Sequence, residues 1–169
     1  VTIISGNTDS DSDGTGPFAI STGGAITVSD SGDIDYESTT SYTLVVAALD
    51  ATDSDQATIT ITIDDVNDQT PTYTAGTTAF SVAEGSTANI DSFAITDTDT
   101  VGSLVCTESG NDADDFACAI SGSTRTVTWS ATPNYESATD SDTNNVYTYT
   151  ITVSDGANSA TSKTYSVTV

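Results

Sequence analysis

Basic side chains are almost absent from this 169-residue sequence, which contains one Arg (Arg125), one Lys (Lys163) and no His against 25 Asp and Glu. The formal net charge is therefore −23. A chain of this charge cannot neutralise phosphates, which excludes nucleic acid as an electrostatic partner and argues against attachment to anionic membranes. Two readings of the acidic surface remain open: it keeps the protein soluble, or it binds hard divalent cations such as calcium, which prefer oxygen ligands.

Long apolar runs, a signal peptide and a 3.6-residue helical period are also missing, so we expect no membrane insertion and a mature or excised segment. Instead, Thr, Val, Ile and Tyr alternate with residues of other character, as in "ATITITI" (57–63), which is typical of half-buried strands. With no His and no Gly-flanked Ser of the nucleophile-elbow type, we expect no enzymatic activity. The pattern predicts an all-β fold.

The sequence has two cysteines, Cys106 and Cys118, twelve residues apart on predicted neighbouring strands. We expect a disulfide between them and hence an oxidising, extracellular compartment. The alternative is a pair of buried thiols. A metal site is disfavoured because no other soft ligand is available.

The sequence also repeats itself at a spacing of roughly 100 residues, the size of one β-sandwich domain. Both copies contain the same order of segments, in which 5–21 matches 109–121, 24–38 matches 125–137, 41–51 matches 146–156 and 57–63 matches 164–169. This order predicts tandem Greek-key β-sandwich domains.

The two copies differ in length. The second, residues 70–169, has two further predicted strands (78–85 and 88–96), which makes it a complete seven-strand sandwich. The first, residues 1–68, lacks these first two strands. A sandwich without two strands has open edges, so we expect either that the natural protein continues upstream or that a neighbouring molecule supplies the strands.

The segment "DDVNDQTP" (64–71) joins the two copies and resembles the cadherin interdomain linker, D-x-N-D-N-x-P. Asp65, Asn67, Asp68 and Pro71 match this pattern, and Gln69 stands where the family usually has Asn. Other positions that resemble cadherin repeats are "DYE" (35–37) and "DTD" (97–99), together with an Asp after a late strand and a Glu near the first strand, which are Asp155 and Glu84 in the second copy.

The resemblance implies a calcium site at the junction. The implied ligands are carboxylates from both copies and oxygens of the linker, with backbone carbonyls of Val66 and Gln69 included: Asp35, Glu37, Asp65, Val66, Asn67, Asp68, Gln69, Asp97, Asp99 and Asp155. The first copy lacks the Glu that its missing strand would carry, so we expect fewer or weaker ions in this segment. The second copy has "NYE" (134–136) in place of the acidic triplet, which leaves half a site at its lower end.

Other candidate features are weaker. "DSDSDG" (9–14) begins like an EF-hand loop, but Ile20 stands at the twelfth position where a bidentate acid is required. We therefore favour a solvated hairpin loop there, and likewise for "SGNDADD" (109–115). Trp129 alternates with Val127 and is expected in the core.

These observations predict a calcium-binding structural protein of the cell surface or extracellular space, related to cell adhesion. It would form a filament with itself by strand complementation, or be part of a long adhesin whose partner is another cell or a matrix. The alternative function is a carbohydrate-binding β-sandwich, which would need an exposed aromatic platform such as Tyr147 and Tyr149.

Overall fold

The computed structural model describes residues 1–74, 76–160 and 162–169 and divides the chain into two compact units, Val1–Val66 and Asn67–Val169. Nearly all regular structure is β-strand, which confirms the all-β prediction. Within the described residues no helix has the length and hydrophobicity needed to span a bilayer.

The first unit contains five strands in two sheets. β1, β4 and β5 form an antiparallel sheet in the order β1-β4-β5, and β2 pairs with β3 in a hairpin. Phe18, Tyr42, Leu44 and Val46 are buried between the sheets. The strands are β1 (Thr2–Ser5), β2 (Phe18–Ile20), β3 (Ile26–Val28), β4 (Ser41–Leu49) and β5 (Ser54–Thr62).

The second unit contains two four-stranded sheets, ordered β10-β11-β8-β6 and β7-β13-β12-β9. All pairs are antiparallel except β7 with β13. Two 3₁₀ helices, Ala113–Asp115 and Tyr135–Ser137, lie in loops. The strands are β6 (Thr72–Tyr73), β7 (Ala79–Ser81), β8 (Asp91–Thr96), β9 (Val105–Ser109), β10 (Phe116–Ser121), β11 (Thr124–Trp129), β12 (Val146–Ser154) and β13 (Lys163–Thr168).

Seven strands were expected between 70 and 169, and the described part of this unit contains eight. The difference is β6, which precedes the predicted first strand at 78–85, where the structure has β7. β6 pairs with β8 in one sheet and β7 pairs with β13 in the other, so one stretch of chain contributes to both sheets. Because β6 is only two residues long, Thr72 and Tyr73, it gives no alternating pattern that the sequence could reveal.

Strand β12 shows why the sequence forms this sandwich. Its residues alternate between buried Tyr147, Tyr149, Ile151 and Val153 and more exposed Thr side chains. The two Tyr residues are 1% and 0% exposed, so they cannot form the aromatic platform of a carbohydrate site. Trp129 packs against this core, as expected, with its ring stacked on Phe116 at a centroid distance of 4.8 Å.

The chain's only Arg also lies in this core, which the sequence did not indicate. Arg125 is fully buried and its Nη2 lies 3.1 Å from Oδ2 of Asp91. Its guanidinium lies about 5 Å from the ring centroids of Phe93 and Tyr165, at 5.0 and 5.3 Å. A buried cation is stabilised by an opposite charge and by aromatic faces. The pairing is only partial, because Oδ1 of Asp91 and Nε and Nη1 of Arg125 have no hydrogen-bond partner among the described residues.

The expected disulfide is present, with the Cα atoms of Cys106 and Cys118 6.1 Å apart. The two strands are consecutive in the chain but belong to different sheets: β9 lies at the end of one and β10 at the end of the other. The bond therefore joins the two sheets along one side of the sandwich. The β6–β7 stretch joins them on the opposite side.

Candidate metal centre

Three carboxylates converge at one end of the second unit. Asp97 and Asp99 directly follow β8, and Asp155 directly follows β12, in the opposite sheet. One carboxylate oxygen from each lies within 4.8 Å of the other two. Two oxygens that each lie about 2.4 Å from one calcium ion are separated by at most about 4.8 Å, so this spacing suits a shared cation.

Burial leaves parts of these carboxylates without a partner. Oδ1 of Asp99 and Oδ2 of Asp155 are inaccessible to solvent and find no hydrogen-bond partner among the residues that the structure describes. A buried carboxylate oxygen without a donor or a cation is costly. The set of oxygens therefore fits a hard divalent cation. All three carboxylates belong to the second unit.

The electrostatics of Asp97 show the same need for positive charge. Partial burial raises the pKa of Asp97 above its ordinary value, and the neighbouring charges of Asp99 and Asp155 raise it further, although the backbone N–H of Asp99 lowers it. Like charges at this distance disfavour ionisation of one another. A cation between the three groups would reverse that effect.

Asp155 is held in its ionised form by the backbone. Burial would raise the pKa of Asp155, but the N–H groups of Asn158 and Ala157 outweigh it and lower the pKa below its ordinary value. These N–H groups donate to Oδ1 at 2.6 and 2.8 Å. Oδ2 of Asp155 has no hydrogen-bond donor among the described residues and so remains available as a ligand.

The linker residues of this unit are bound to the same loops. The Asn67 side chain donates to the carbonyl of Asp155 at 3.2 Å, and the Gln69 N–H donates to Oδ2 of Asp99 at 3.0 Å. Oδ1 of Asn67 is buried and has no partner within the described part of the chain. Asn67 and Gln69 therefore lie beside the three carboxylates, as a shared site requires.

Two residues that the sequence analysis did not single out support this arrangement. Asn158 donates from its side chain to the carbonyl of Gln69 at 3.0 Å and so fixes the linker backbone. Gly102, at φ +91°, leaves room for the linker, since a Cβ there would lie 2.4 Å from Nδ2 of Asn67 and 2.8 Å from the carbonyl of Asp155. Neither role has a sequence signal, because both depend on segments distant along the chain.

The other members of the implied ligand set are mostly exposed to solvent. Asp68 is exposed and accepts from the Gln69 side chain at 2.9 Å. In the first unit, Asp35 and Glu37 are exposed, Asp65 is half-buried and Val66 is 65% exposed. The Asp35 carboxylate accepts from the Glu37 N–H at 3.0 Å and from the Ser38 hydroxyl at 2.7 Å. The ten residues as one ligand set remain a prediction.

At the other end of the second unit, Glu84 lies against the "NYE" triplet. Its Oε2 accepts from the Tyr135 N–H at 3.0 Å. The Asn134 side chain accepts from the Glu136 N–H at 3.0 Å, the same bond that Asp35 makes with Glu37 in the first unit. The two triplets therefore share a local conformation, although Asn134 replaces a carboxylate.

Comparison with known proteins shows similarity in fold but not in sequence. No protein-family model matches the sequence, and no curated protein matches it. Among solved structures, the human desmocollin-1 ectodomain matches 92% of this chain with a TM-score of 0.74 and 18% identity. A protocadherin gammaB7 structure of repeats EC3-6 matches 90% of this chain with a TM-score of 0.69 and 23% identity. Mouse cadherin-23 EC22-24 matches 99% of this chain with a TM-score of 0.65 and 20% identity.

These matches show that the chain has the fold of cadherin repeats. The chain spans 32% of the desmocollin-1 chain, 37% of the protocadherin chain and 51% of the cadherin-23 chain. At these identities the likeness concerns the fold and not the ligands or partners of those proteins.

Proposed function

We propose that this chain, which has the cadherin-like repeat fold, is a calcium-binding structural segment of a cell-surface or extracellular protein. The observation that carries the proposal is the convergence of Asp97, Asp99 and Asp155 with buried, unpartnered oxygens among the described residues. Calcium takes six to eight oxygens, more than these side chains supply. The proposal assigns the remaining ligands to the other members of the ten-residue set that the linker motif implies.

Calcium bound to both sequence copies would reduce the freedom of the linker. Without the ion, the carboxylates of 64–68 and 97–99 repel one another and the linker is loosely held. With it, these charges are neutralised and the orientation of the repeats is restricted. A row of such repeats forms a stiff rod, which is the structural role proposed here.

The sheet edges of the first unit support assembly with further strands. β3 pairs with β2 and β5 pairs with β4, and neither has a second neighbour among the described residues. Their counterparts in the second unit, β11 and β13, each have strands on both sides. We propose that strands equivalent to β6–β8 cover these edges. They come from a neighbouring copy in a filament, or from an upstream part of the same repeat in a long adhesin.

An oxidising environment outside the cell agrees with the Cys106–Cys118 disulfide, since such bonds persist there and are rare in the cytosol. The cadherin-like fold and the three converging carboxylates support the proposal of a structural and adhesive role. Self-association and attachment to a cell or matrix partner are the interactions proposed for the whole protein.

The test compares the full chain with Asp99→Asn in calcium and in chelator. Asn keeps an acceptor for the Gln69 N–H but removes the charge, so the variant is expected to fold and to bind calcium at least about tenfold more weakly. Cleavage by a non-specific protease at 64–70, mapped by mass spectrometry, is expected to be suppressed by calcium in the wild type and much less in the variant. Asp114→Asn, an exposed carboxylate outside the site, is the matched control.

Sedimentation velocity under the same two conditions separates the modes of assembly. Large species that form in calcium and disperse in chelator support the filament. A monomer whose linker is protected by calcium supports the repeat of a long adhesin. Identical cleavage of 64–70 with and without calcium would refute the calcium-stiffened junction.

A further inference from the structure

A second group of carboxylates lies within the first unit, in loops that do not include the linker. The loop between β1 and β2 (residues 6–17) carries Asp9, Asp11 and Asp13, each of which has an oxygen within 4.8 Å of the other two. As a continuous EF-hand loop this segment fails, because Ile20 occupies the position of the final acid. The fold supplies acids from another part of the chain.

The additional acids come from the loop between β3 and β4 (residues 29–40). Oδ2 of Asp11 and Oδ1 of Asp30 both lie close to Gly32, at 3.0 and 3.2 Å from the place where a Cβ would be. Gly32 therefore allows the two loops to approach each other. Asp33, one residue further, contacts the β1–β2 loop directly.

The burial of Asp33 distinguishes this cluster from a solvated acidic loop. The residue is 3% exposed, and its Oδ1 accepts from the Ser10 N–H at 2.6 Å and from the Asp11 N–H at 3.2 Å. Its Oδ2 is buried and has no partner in the described part of the chain, and the same holds for Oδ2 of Asp30.

Nothing in the first unit neutralises the charge of these carboxylates. Both basic side chains, Arg125 and Lys163, belong to the second unit, and residues 1–66 contain no Lys, Arg or His. The buried oxygens without a donor, Oδ2 of Asp30 and Oδ2 of Asp33, are therefore suited to a cation.

We propose that the β1–β2 and β3–β4 loops of the first unit bind a calcium-like divalent cation at Asp9, Asp11 and Asp13, whose oxygens lie within 4.8 Å of one another, with Asp30 and Asp33 of the facing loop as further ligands. Carboxylates on two irregular loops suit calcium, which accepts variable geometry, better than magnesium, which requires a near-ideal octahedron. The bound ion joins the two loops that close this end of the unit. The inference does not rest on the proposed junction site, and none of its five ligands belongs to that set.

The experiment counts calcium bound to the full chain by equilibrium dialysis. Asp11→Asn/Asp30→Asn is expected to bind one ion fewer per chain than the wild type. Asp53→Asn/Asp55→Asn removes the same charge from the β4–β5 hairpin of the same unit and is expected to retain the wild-type count. Asp99→Asn is expected to lose calcium bound at the second unit and to retain the ion proposed here.

Amide hydrogen exchange of the wild type gives a second readout that needs no variant. Calcium is expected to slow exchange at residues 10–15 as well as at Gln69 and Asn158. Slowing at 10–15 that disappears in Asp11→Asn/Asp30→Asn, while Gln69 and Asn158 still respond, supports the site. An unchanged ion count in that variant, or no calcium response at 10–15 in the wild type, would overturn it, whatever the outcome at the junction.

Discussion

Single carboxylates in this protein have different roles according to the donors around them. Asp112, in the loop before β10, is 5% exposed and accepts from the N–H groups of Ser141 and Thr148, both at 2.7 Å. Burial would raise the pKa of Asp112, but these two N–H groups outweigh it and lower the pKa. This carboxylate has backbone donors on both oxygens, whereas Oδ1 of Asp99 and Oδ2 of Asp33 have none among the described residues.

We predict that Asp112→Asn destabilises the protein at neutral pH by about 2–3 kcal/mol, because an amide group would face one of the two N–H donors. The folded pKa lies below the unfolded value, so the carboxylate stabilises the fold above about pH 4, and this contribution is lost as the pH falls through the folded pKa. The difference from wild type should therefore shrink in acid. Urea unfolding from pH 7 to pH 3 measures it, with the exposed Asp114→Asn as control. A difference in the free energy of unfolding that stays the same from pH 7 to pH 3 would contradict a stabilising role of the Asp112 charge.

At the scale of elements, the two sheets of the second unit are joined along both sides. The β6–β7 stretch forms one connection and the disulfide between β9 and β10 forms the other. The bond closes a short loop with a sequence separation of 12. It therefore holds together the strands at the ends of the two sheets, which pair on one side only.

We predict that Cys106→Ala/Cys118→Ala lowers the free energy of unfolding of the second unit by about 2–3 kcal/mol. Hydrogen exchange should accelerate in β9 and β10 more than in β13, because β13 has neighbours on both sides. Denaturant unfolding with and without reductant checks this. Reductant should destabilise the wild type and leave the double variant unchanged. Equal acceleration in all strands would contradict a local clamp.

At the scale of the whole molecule, the charge of −23 opposes the compact state by self-repulsion. Monovalent salt screens that repulsion without occupying a site, whereas calcium bound to the folded state stabilises it by mass action. Both effects act in the same direction, so they must be separated by ionic strength.

We predict that about 1 mM calcium chloride raises the melting temperature more than about 3 mM sodium chloride, which has the same ionic strength. The difference in melting temperature between the two salts should increase with each tenfold rise in calcium concentration. It should be smaller in Asp99→Asn than in the wild type. Differential scanning calorimetry in chelator-treated buffer measures these shifts. Equal shifts from the two salts would mean that calcium acts by screening alone.

Alternation in segments such as β12 reports directly which side chains face the core, so the strands and the type of fold were predictable from the sequence. The sequence also predicted the disulfide from two cysteines without other soft partners. It did not reveal β6, which is too short to alternate, or the burial of Arg125, since a lone basic residue usually indicates an exposed one.

Which carboxylates have hydrogen-bond partners, and which lack them among the described residues, is visible only in the folded protein. Asp97 and Asp99 are separated from Asp155 by some 56 residues along the chain, yet their oxygens meet because β8 and β12 end at the same side of the sandwich. Asp33 and Asp112 both appear as single Asp residues in loops, and their surroundings alone distinguish them. Spacing along the chain records local conformation, whereas the number of donors around a buried oxygen depends on the packing of distant segments.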